Sequence, residues 1–187
     1  GGPAPPRALR GPPATRLDLA TQLLAEAKAI AATLDATAVR AAGEASWLGV
    51  QLDGDGHWVL EPLDTDLYNG LPGVALFLAH LGAVTGEVRW TALARAAVAA
   101  WRRLAAEARA EEPDALAPLG LFDGLGGQLY VMAQLTNLWD GEPALRDELA
   151  ALVAEARAAL GEADEDEEPG LAGGLAVAGR NRRRPGH

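Results

Sequence analysis

A Gly-x-x-Gly pair recurs three times in this chain and constrains its fold more than any other feature. The pairs are Gly70 with Gly73, Gly124 with Gly127, and Gly170 with Gly173. Each pair opens a run of small apolar residues, and the first glycines lie 54 and 46 residues apart. A period of roughly 40–50 residues is typical of repeat architectures. We therefore expect a row of α/α hairpins, each with a glycine-rich turn, an apolar helix and a more amphipathic return helix.

Apolar residues recur at helical spacing along most of the chain. This periodicity predicts five helices, over about residues 17–39, 71–81, 88–110, 126–139 and 144–160. Gly82 and Gly86 are expected to end the second helix. The acidic run over residues 162–168 is expected to form a solvated loop.

One segment departs from the helical pattern. Residues 46–52 and 57–63 alternate around the Asp-Gly-Asp-Gly turn at 53–56, which predicts a β-hairpin. No other segment gives a convincing strand signal. The predicted fold class is therefore all-α, with a small β-hairpin near the N-terminus.

The two ends of the chain have a different composition. Residues 1–14 are rich in Pro and Gly and predict a flexible linker, because they contain almost no bulky apolar side chain. Residues 179–187 are rich in Arg without apolar periodicity and predict a disordered tail. The repeat domain is expected to span residues 15–178.

Charge and composition exclude several classes of function. The net charge of −10 argues against nucleic-acid binding, which depends on cationic surface. No apolar run reaches the about 20 residues that a membrane span needs, and no signal-peptide pattern is present. The chain has no cysteine, so it offers no disulfide and no thiolate metal site. These properties predict a cytoplasmic protein.

The glycine pairs admit two interpretations. A glycine-rich loop can hold phosphate, but that fingerprint requires a preceding strand within a parallel sheet, which the pattern does not predict. The other interpretation is that glycine at the start of an apolar helix allows a tight turn and close helix packing. The threefold repetition favours this structural role.

Candidate catalytic and metal-binding side chains are scattered along the chain. His57, His80 and His187 show no ligand-pair spacing, and zinc needs three or four converging ligands. The carboxylates of Asp64, Asp66 and Asp123 precede glycine turns, where Asp most often builds the turn or caps the helix. The five tryptophans are expected to pack in the core rather than to form a ligand cage. They are Trp47, Trp58, Trp90, Trp101 and Trp139.

Two segments resemble a known family. Residues 66–79 read Asp-Leu-Tyr-Asn-Gly-Leu-Pro-Gly followed by an apolar run, and Trp47–Gly49 and Trp58–Leu63 precede them. Residues 120–130 contain Gly-Leu-Phe-Asp-Gly-Leu-Gly-Gly. These motifs resemble the cyclase domain of lanthionine synthetases, in the version that bifunctional class II enzymes fuse behind a dehydratase. The resemblance covers about residues 16–178.

This resemblance implies an α/α toroid of six or seven helical hairpins, of which the chain would form the first part. Residues 15–45 would include the tail of the preceding dehydratase. In that family two cysteines and a histidine hold zinc in the C-terminal half of the ring. The zinc activates a cysteine thiol of a precursor peptide, which then adds to dehydroalanine or dehydrobutyrine and forms a thioether ring.

The chain departs from that family pattern at several positions. Without cysteine it lacks the zinc ligands, so zinc is expected only in the full-length family member. Asp166 falls four residues before the third glycine motif, where the resemblance implies an acidic residue near the active site. Glu167, Glu168 and Pro169 replace the aliphatic residues expected beside it. A truncated or frameshifted gene would explain these departures and the Arg-rich ending.

The sequence thus predicts an N-terminal fragment of a lanthipeptide synthetase that is inactive alone, with the precursor peptide as partner of the whole enzyme. A non-enzymatic α/α-repeat module that binds peptides is the alternative. A second alternative is another α/α-toroid enzyme such as a glycosidase, for which Asp66 and Asp123 are the carboxylate pair available.

Overall fold

The structure, a computed structural model, describes residues 16–52, 54–111, 119–122, 124–140 and 142–165. Two compact units divide the chain between Ala36 and Thr37. The described residues form five α-helices and four short β-strands. They are α1 (Arg16–Thr37), β1 (Val39–Ala41), β2 (Glu44–Ser46), β3 (Leu48–Leu52), β4 (Trp58–Pro62), α2 (Leu71–Thr85), α3 (Val88–Glu111), α4 (Leu125–Leu138) and α5 (Pro143–Glu165).

Helices α2 and α3 form the first helical hairpin. Helix α2 begins after Gly70 with Pro72 in its first turn, a position where the missing N–H of proline costs no helical hydrogen bond. It ends at Gly86, whose φ of 68° lies in the left-handed region, and its N–H donates to the Gly82 carbonyl at 2.8 Å. Only two residues then separate α2 from α3.

Gly82 does not end α2, contrary to the sequence prediction. The residue is buried inside the helix and faces Thr91 of α3. A Cβ at this position would meet the Thr91 side chain and would lie 3.0 Å from the Thr91 nitrogen. Glycine is therefore present because the two helices approach closely, and not because the helix breaks there.

Helices α4 and α5 form the second helical hairpin. Helix α4 begins after Gly124, and α5 begins at Pro143, one residue before its predicted start. Helix α5 continues through Glu165, so the solvated loop predicted over residues 162–168 is wrong for its first four residues. The remaining acidic residues lie outside the described part of the chain.

The strands form two antiparallel hairpins rather than one. The predicted hairpin is confirmed as β3 and β4, in which Leu48 pairs with Pro62 and Leu52 with Trp58. A second hairpin, β1 with β2, occupies a stretch where no strand was predicted. Its strands have three residues each, and its turn places Ala42 and Gly43 at positive φ. Such short strands carry too little alternation to be recognised.

The helical hairpins pack into an uncharged layer and a charged layer. Helices α2 and α4 contact each other and contain no Asp, Glu, Lys or Arg. Helices α3 and α5 carry charged side chains on their outer faces. Fully buried large side chains of all four helices form the core, among them Leu71, Leu78, Trp90, Leu125, Leu135 and Leu145. The predicted mainly α-helical fold is confirmed.

The tryptophans divide by element. Trp47, Trp90, Trp101 and Trp139 are buried, which confirms their predicted packing role. Trp58 is 74% exposed on β4, so the prediction is wrong for this residue. Among the described helices, none is both long and apolar enough to cross a membrane.

Three ion pairs join the two helical hairpins along α3 and α5. Arg102 Nε lies 2.9 Å from Glu148 Oε2, and Arg109 Nη2 lies 3.0 Å from Glu155 Oε2. Arg95 pairs with Glu142, just before α5, and its guanidinium also lies 4.3 Å from the centroid of the Trp139 ring. The arginines are seven residues apart, which places them two helical turns apart on one face of α3.

The Arg95–Glu142 pair predicts a pH-dependent contribution to stability. The hydrogen bond from Arg95 lowers the pKa of the Glu142 carboxyl below its ordinary value. A carboxyl whose pKa is lower in the folded state stabilises the protein above its unfolded pKa, and this contribution is lost as the pH falls through the folded pKa. We expect Glu142→Gln to lower the free energy of unfolding at pH 7 by less than about 1 kcal/mol, because the pair is solvent-exposed.

Urea unfolding of both proteins at pH 7 and pH 3 measures this effect. The difference should shrink at the lower pH and in high salt. A double-mutant cycle with Arg95→Gln separates the ion pair from the contact between Arg95 and Trp139. A difference that stays constant from pH 7 to pH 3 would contradict the assignment.

Candidate functional site

The turn before α2 is built by two aspartates. The Asp66 carboxylate accepts a hydrogen bond from the Asn69 N–H at 2.6 Å. The Asp64 carboxylate accepts one from the Thr65 N–H at 2.6 Å, and the Asp64 carbonyl accepts another from the Leu71 N–H at 2.8 Å. The turn-building interpretation of these two residues is confirmed. Asp123, the proposed partner of Asp66 in a glycosidase, lies outside the described residues.

Each helical hairpin is one repeat unit. In both repeat units the loop before the uncharged helix, α2 or α4, packs against the first turn of that helix. A Cβ added to Gly73 would lie 2.5 Å from the Leu67 carbonyl oxygen. A Cβ added to Gly127 would collide with the Leu121 carbonyl oxygen. Leu67 and Leu121 each precede the second glycine by six residues, so the two contacts are equivalent in the repeat.

The first glycines of the two pairs begin the helices. Gly70 and Gly124 are the N-cap residues of α2 and α4, with extended backbone. A Cβ on Gly70 would collide with the carbonyl oxygens of Asp64 and Asp66. Gly70, Gly73 and Gly127 thus permit a backbone approach that any side chain would prevent, as the structural interpretation requires. Gly170 and Gly173 lie outside the described residues.

The two turns are bonded to each other. The backbone N–H groups of Leu67 and Tyr68 both donate to the Phe122 carbonyl, at 3.0 and 3.3 Å. A Cβ on Gly127 would also lie 3.0 Å from the Leu67 Cβ. Backbone groups therefore fix the position of one repeat against the next at this end of α2 and α4.

An aromatic pair lies on these joined turns. The rings of Tyr68 and Phe122 make an edge-to-face contact, with their centroids 6.1 Å apart and an interplanar angle of 81°. Tyr68 is 77% exposed and Phe122 is 60% exposed. Leu121 beside them is also exposed. The predictions from sequence did not include this pair, although aligning the two glycine motifs places Tyr68 opposite Phe122.

A cavity of about 330 Å³ lies between α3, α4 and α5. Its apolar lining includes Trp101, Met132 and Leu152, and the Arg102–Glu148 and Arg109–Glu155 pairs contribute to its wall. The charged side chains at this cavity are thus engaged with each other. The helical periodicity of the sequence does not predict this cavity, because its volume depends on the distance between the packed helices.

The described residues do not assemble a metal site. Within them, no three His, Asp or Glu side chains are grouped so that they could hold a metal ion. His57 follows the turn after β3, whereas His80 lies exposed on α2. His187 and Asp166 lie outside the described residues. The zinc that the family resemblance implies therefore does not fit the residues that the structure describes.

This geometry is that of an α/α-hairpin repeat protein whose repeat units are joined through their glycine turns. A family model for lanthionine synthetase C-like proteins matches residues 61–178. The chain belongs to this family. A search of curated proteins found no match.

The glycine contacts predict opposite effects at two kinds of site. Gly73→Ala and Gly127→Ala should each lower the free energy of unfolding by about 1–3 kcal/mol, because the new methyl group meets a carbonyl oxygen. The cause is close approach and not backbone strain, since positive φ occurs at neither residue. Gly161→Ala on α5 is the matched control, because a Cβ there meets nothing within 4 Å.

Urea unfolding of the three variants checks this prediction. The control should raise the free energy of unfolding by up to about 1 kcal/mol, since alanine favours helix over glycine. Stabilisation by Gly73→Ala or Gly127→Ala would show that the turns do not press on the helices as described.

The scattered histidines lead to a prediction on metal content. We expect the purified chain to retain no stoichiometric zinc after dialysis, because zinc needs three or four converging ligands. Elemental analysis by mass spectrometry measures this directly. About one tightly held zinc per chain would contradict the expectation, and its loss in His57→Ala or His80→Ala would then identify a ligand.

Proposed function

We propose that this chain is part of a lanthipeptide synthetase of the bifunctional class II type. The observation that carries the proposal is the family match over residues 61–178, on a structure whose two described glycine turns have equivalent contacts. The full-length enzyme would dehydrate Ser and Thr of a precursor peptide. Its cyclase domain would then add a cysteine thiol of the same peptide to the dehydrated residue.

The addition is balanced without any further reactant. The sulfur of the peptide cysteine forms a bond to the β-carbon of dehydroalanine or dehydrobutyrine. The proton lost from the thiol is matched by one that the α-carbon gains. Within this reaction the described residues bind and position the peptide, and zinc ligands would have to come from outside this sequence, which contains no cysteine.

Asp166 is the residue of this chain that we assign nearest to the chemistry. It precedes Gly170 by four residues, as Asp66 precedes Gly70. In the first unit the Asp66 carboxylate is engaged by the Asn69 N–H at 2.6 Å. Pro169 stands where Asn69 stands in the first unit, and proline has no N–H to donate. Proline at the equivalent position has no N–H for such a turn bond, which supports a role for the Asp166 carboxylate other than turn-building.

A thiol-consumption assay tests the proposed function. The substrate is a synthetic peptide with one cysteine and one dehydroalanine, and alkylation with N-ethylmaleimide followed by mass spectrometry counts the free thiol. The 187-residue chain alone should leave the thiol free. The product of a longer reading frame that includes Cys and Cys-His motifs should consume it. Absence of such motifs from every downstream frame, with peptide binding retained, would instead support a non-catalytic peptide-binding module.

Asp166→Asn in that longer product separates chemistry from folding. We expect it to slow thiol consumption at least tenfold while leaving the melting temperature unchanged. Asp140→Asn is the control, because the exposed Asp140 carboxylate pairs with Arg146 just after the C-terminal end of α4, away from the glycine turn that begins this helix. Equal rates for the parent and Asp166→Asn would refute the role assigned to Asp166.

A further inference from the structure

The aromatic pair of Tyr68 and Phe122 arises from the repeat itself. Each residue stands two positions before the first glycine of its motif, and each follows the leucine whose carbonyl contacts the second glycine. Two large aromatic side chains at equivalent positions both remain more than half exposed. Together with the exposed Leu121 they form one apolar patch at the end of the uncharged helices, and such patches mark interaction sites.

The backbone holds the pair in place before any partner arrives. The Phe122 carbonyl accepts hydrogen bonds from two successive N–H groups of the opposite turn, one of them from Tyr68 itself. The Asp66 carboxylate fixes the same turn through Asn69. A partner that binds the rings therefore has little loop to order, which favours affinity.

The segments that carry the patch contain acidic but no basic side chains. The sequence contains no Lys or Arg between Arg40 and Arg89, and none between Arg109 and Arg146. These intervals include both turns and both uncharged helices. Asp64 and Asp66 lie in the turn that carries Tyr68. A cation beside an apolar group would meet favourable charge here, whereas the phosphates of nucleic acid or of an anionic membrane would be repelled.

We propose that the Tyr68–Phe122 pair binds a peptide segment in which an aromatic or aliphatic residue stands next to Lys or Arg. The apolar side chain contacts the exposed ring faces and Leu121. The cation lies against the Asp64 and Asp66 carboxylates. This inference rests on the proposed function and names the part of the peptide substrate that these turns would hold.

Fluorescence anisotropy with a defined probe tests the proposal on the 187-residue chain. The probe is fluorescein-labelled Gly-Ser-Phe-Lys-Ser-Gly, and its matched partners replace Phe by Ser or Lys by Glu. The double variant Tyr68→Ser with Phe122→Ser should weaken probe binding on the order of tenfold, as truncation of central aromatic residues does at interfaces. Both altered peptides should bind more weakly, and added salt should weaken the parent probe.

Tyr130→Ser is the matched control, because Tyr130 is an exposed aromatic residue of α4 outside the patch. It should leave probe binding unchanged, and circular dichroism should show the same helix content in all variants. Unchanged binding in the double variant, or an equal loss in Tyr130→Ser, would overturn the proposal. Binding to phosphatidylserine vesicles that the double variant loses would also overturn it, since it would assign the patch to lipid.

The outcome is separable from that of the thiol assay. Probe binding that depends on the aromatic pair, with no thiol consumption by any longer product, would support the docking surface and refute the enzyme. Thiol consumption that proceeds equally in the double variant at low peptide concentration would refute the docking surface and leave the enzyme supported.

Discussion

The close approach of a backbone carbonyl to a helical glycine is the contact on which the rest of this structure depends. Leu67 approaches Gly73 in the first unit, and Leu121 approaches Gly127 in the second. Because the turn lies directly on the helix, its next residues reach the neighbouring turn and form the bonds to the Phe122 carbonyl. A methyl group at either glycine would push the turn outward and would disturb the contact between repeats as well as the helix start.

The separation of uncharged helices from charged helices follows from the packing of the two helical hairpins against each other. Helices α2 and α4 lie against each other and against their own return helices, so a charged side chain at their buried positions, such as Leu78 or Leu135, would lose its hydration. The cations gather instead on α3 and α5, where Arg102 and Arg109 reach glutamates of the next hairpin. Each exposed pair contributes little free energy, but pairs seven residues apart select one axial register between the helices.

Much of this architecture can be predicted from the sequence, and the elements that were not predicted have physical causes. The period of the glycine motifs predicts the helical hairpins, and alternation predicts β3 with β4. The prediction for Gly82 is wrong because a glycine that ends a helix cannot be distinguished, from sequence alone, from one that allows a neighbouring helix to approach. The neighbouring residue at Gly82 is Thr91. The β1–β2 hairpin was missed because three-residue strands carry almost no periodicity. The edge-to-face contact of Tyr68 with Phe122 requires knowing how adjacent repeats stack, which no single segment encodes.

The sequence predicts less of the candidate site than of the fold. Asp64 and Asp66 were recognised as turn residues from their spacing to Gly70, and their hydrogen bonds agree. What spacing alone does not provide is a reason for one repeat to differ chemically from another. The structure of the first unit supplies it: an N–H at the position of Asn69 engages the aspartate, and a proline there cannot. A repeat protein can therefore keep one turn geometry in every unit and change the availability of a carboxylate by a single substitution.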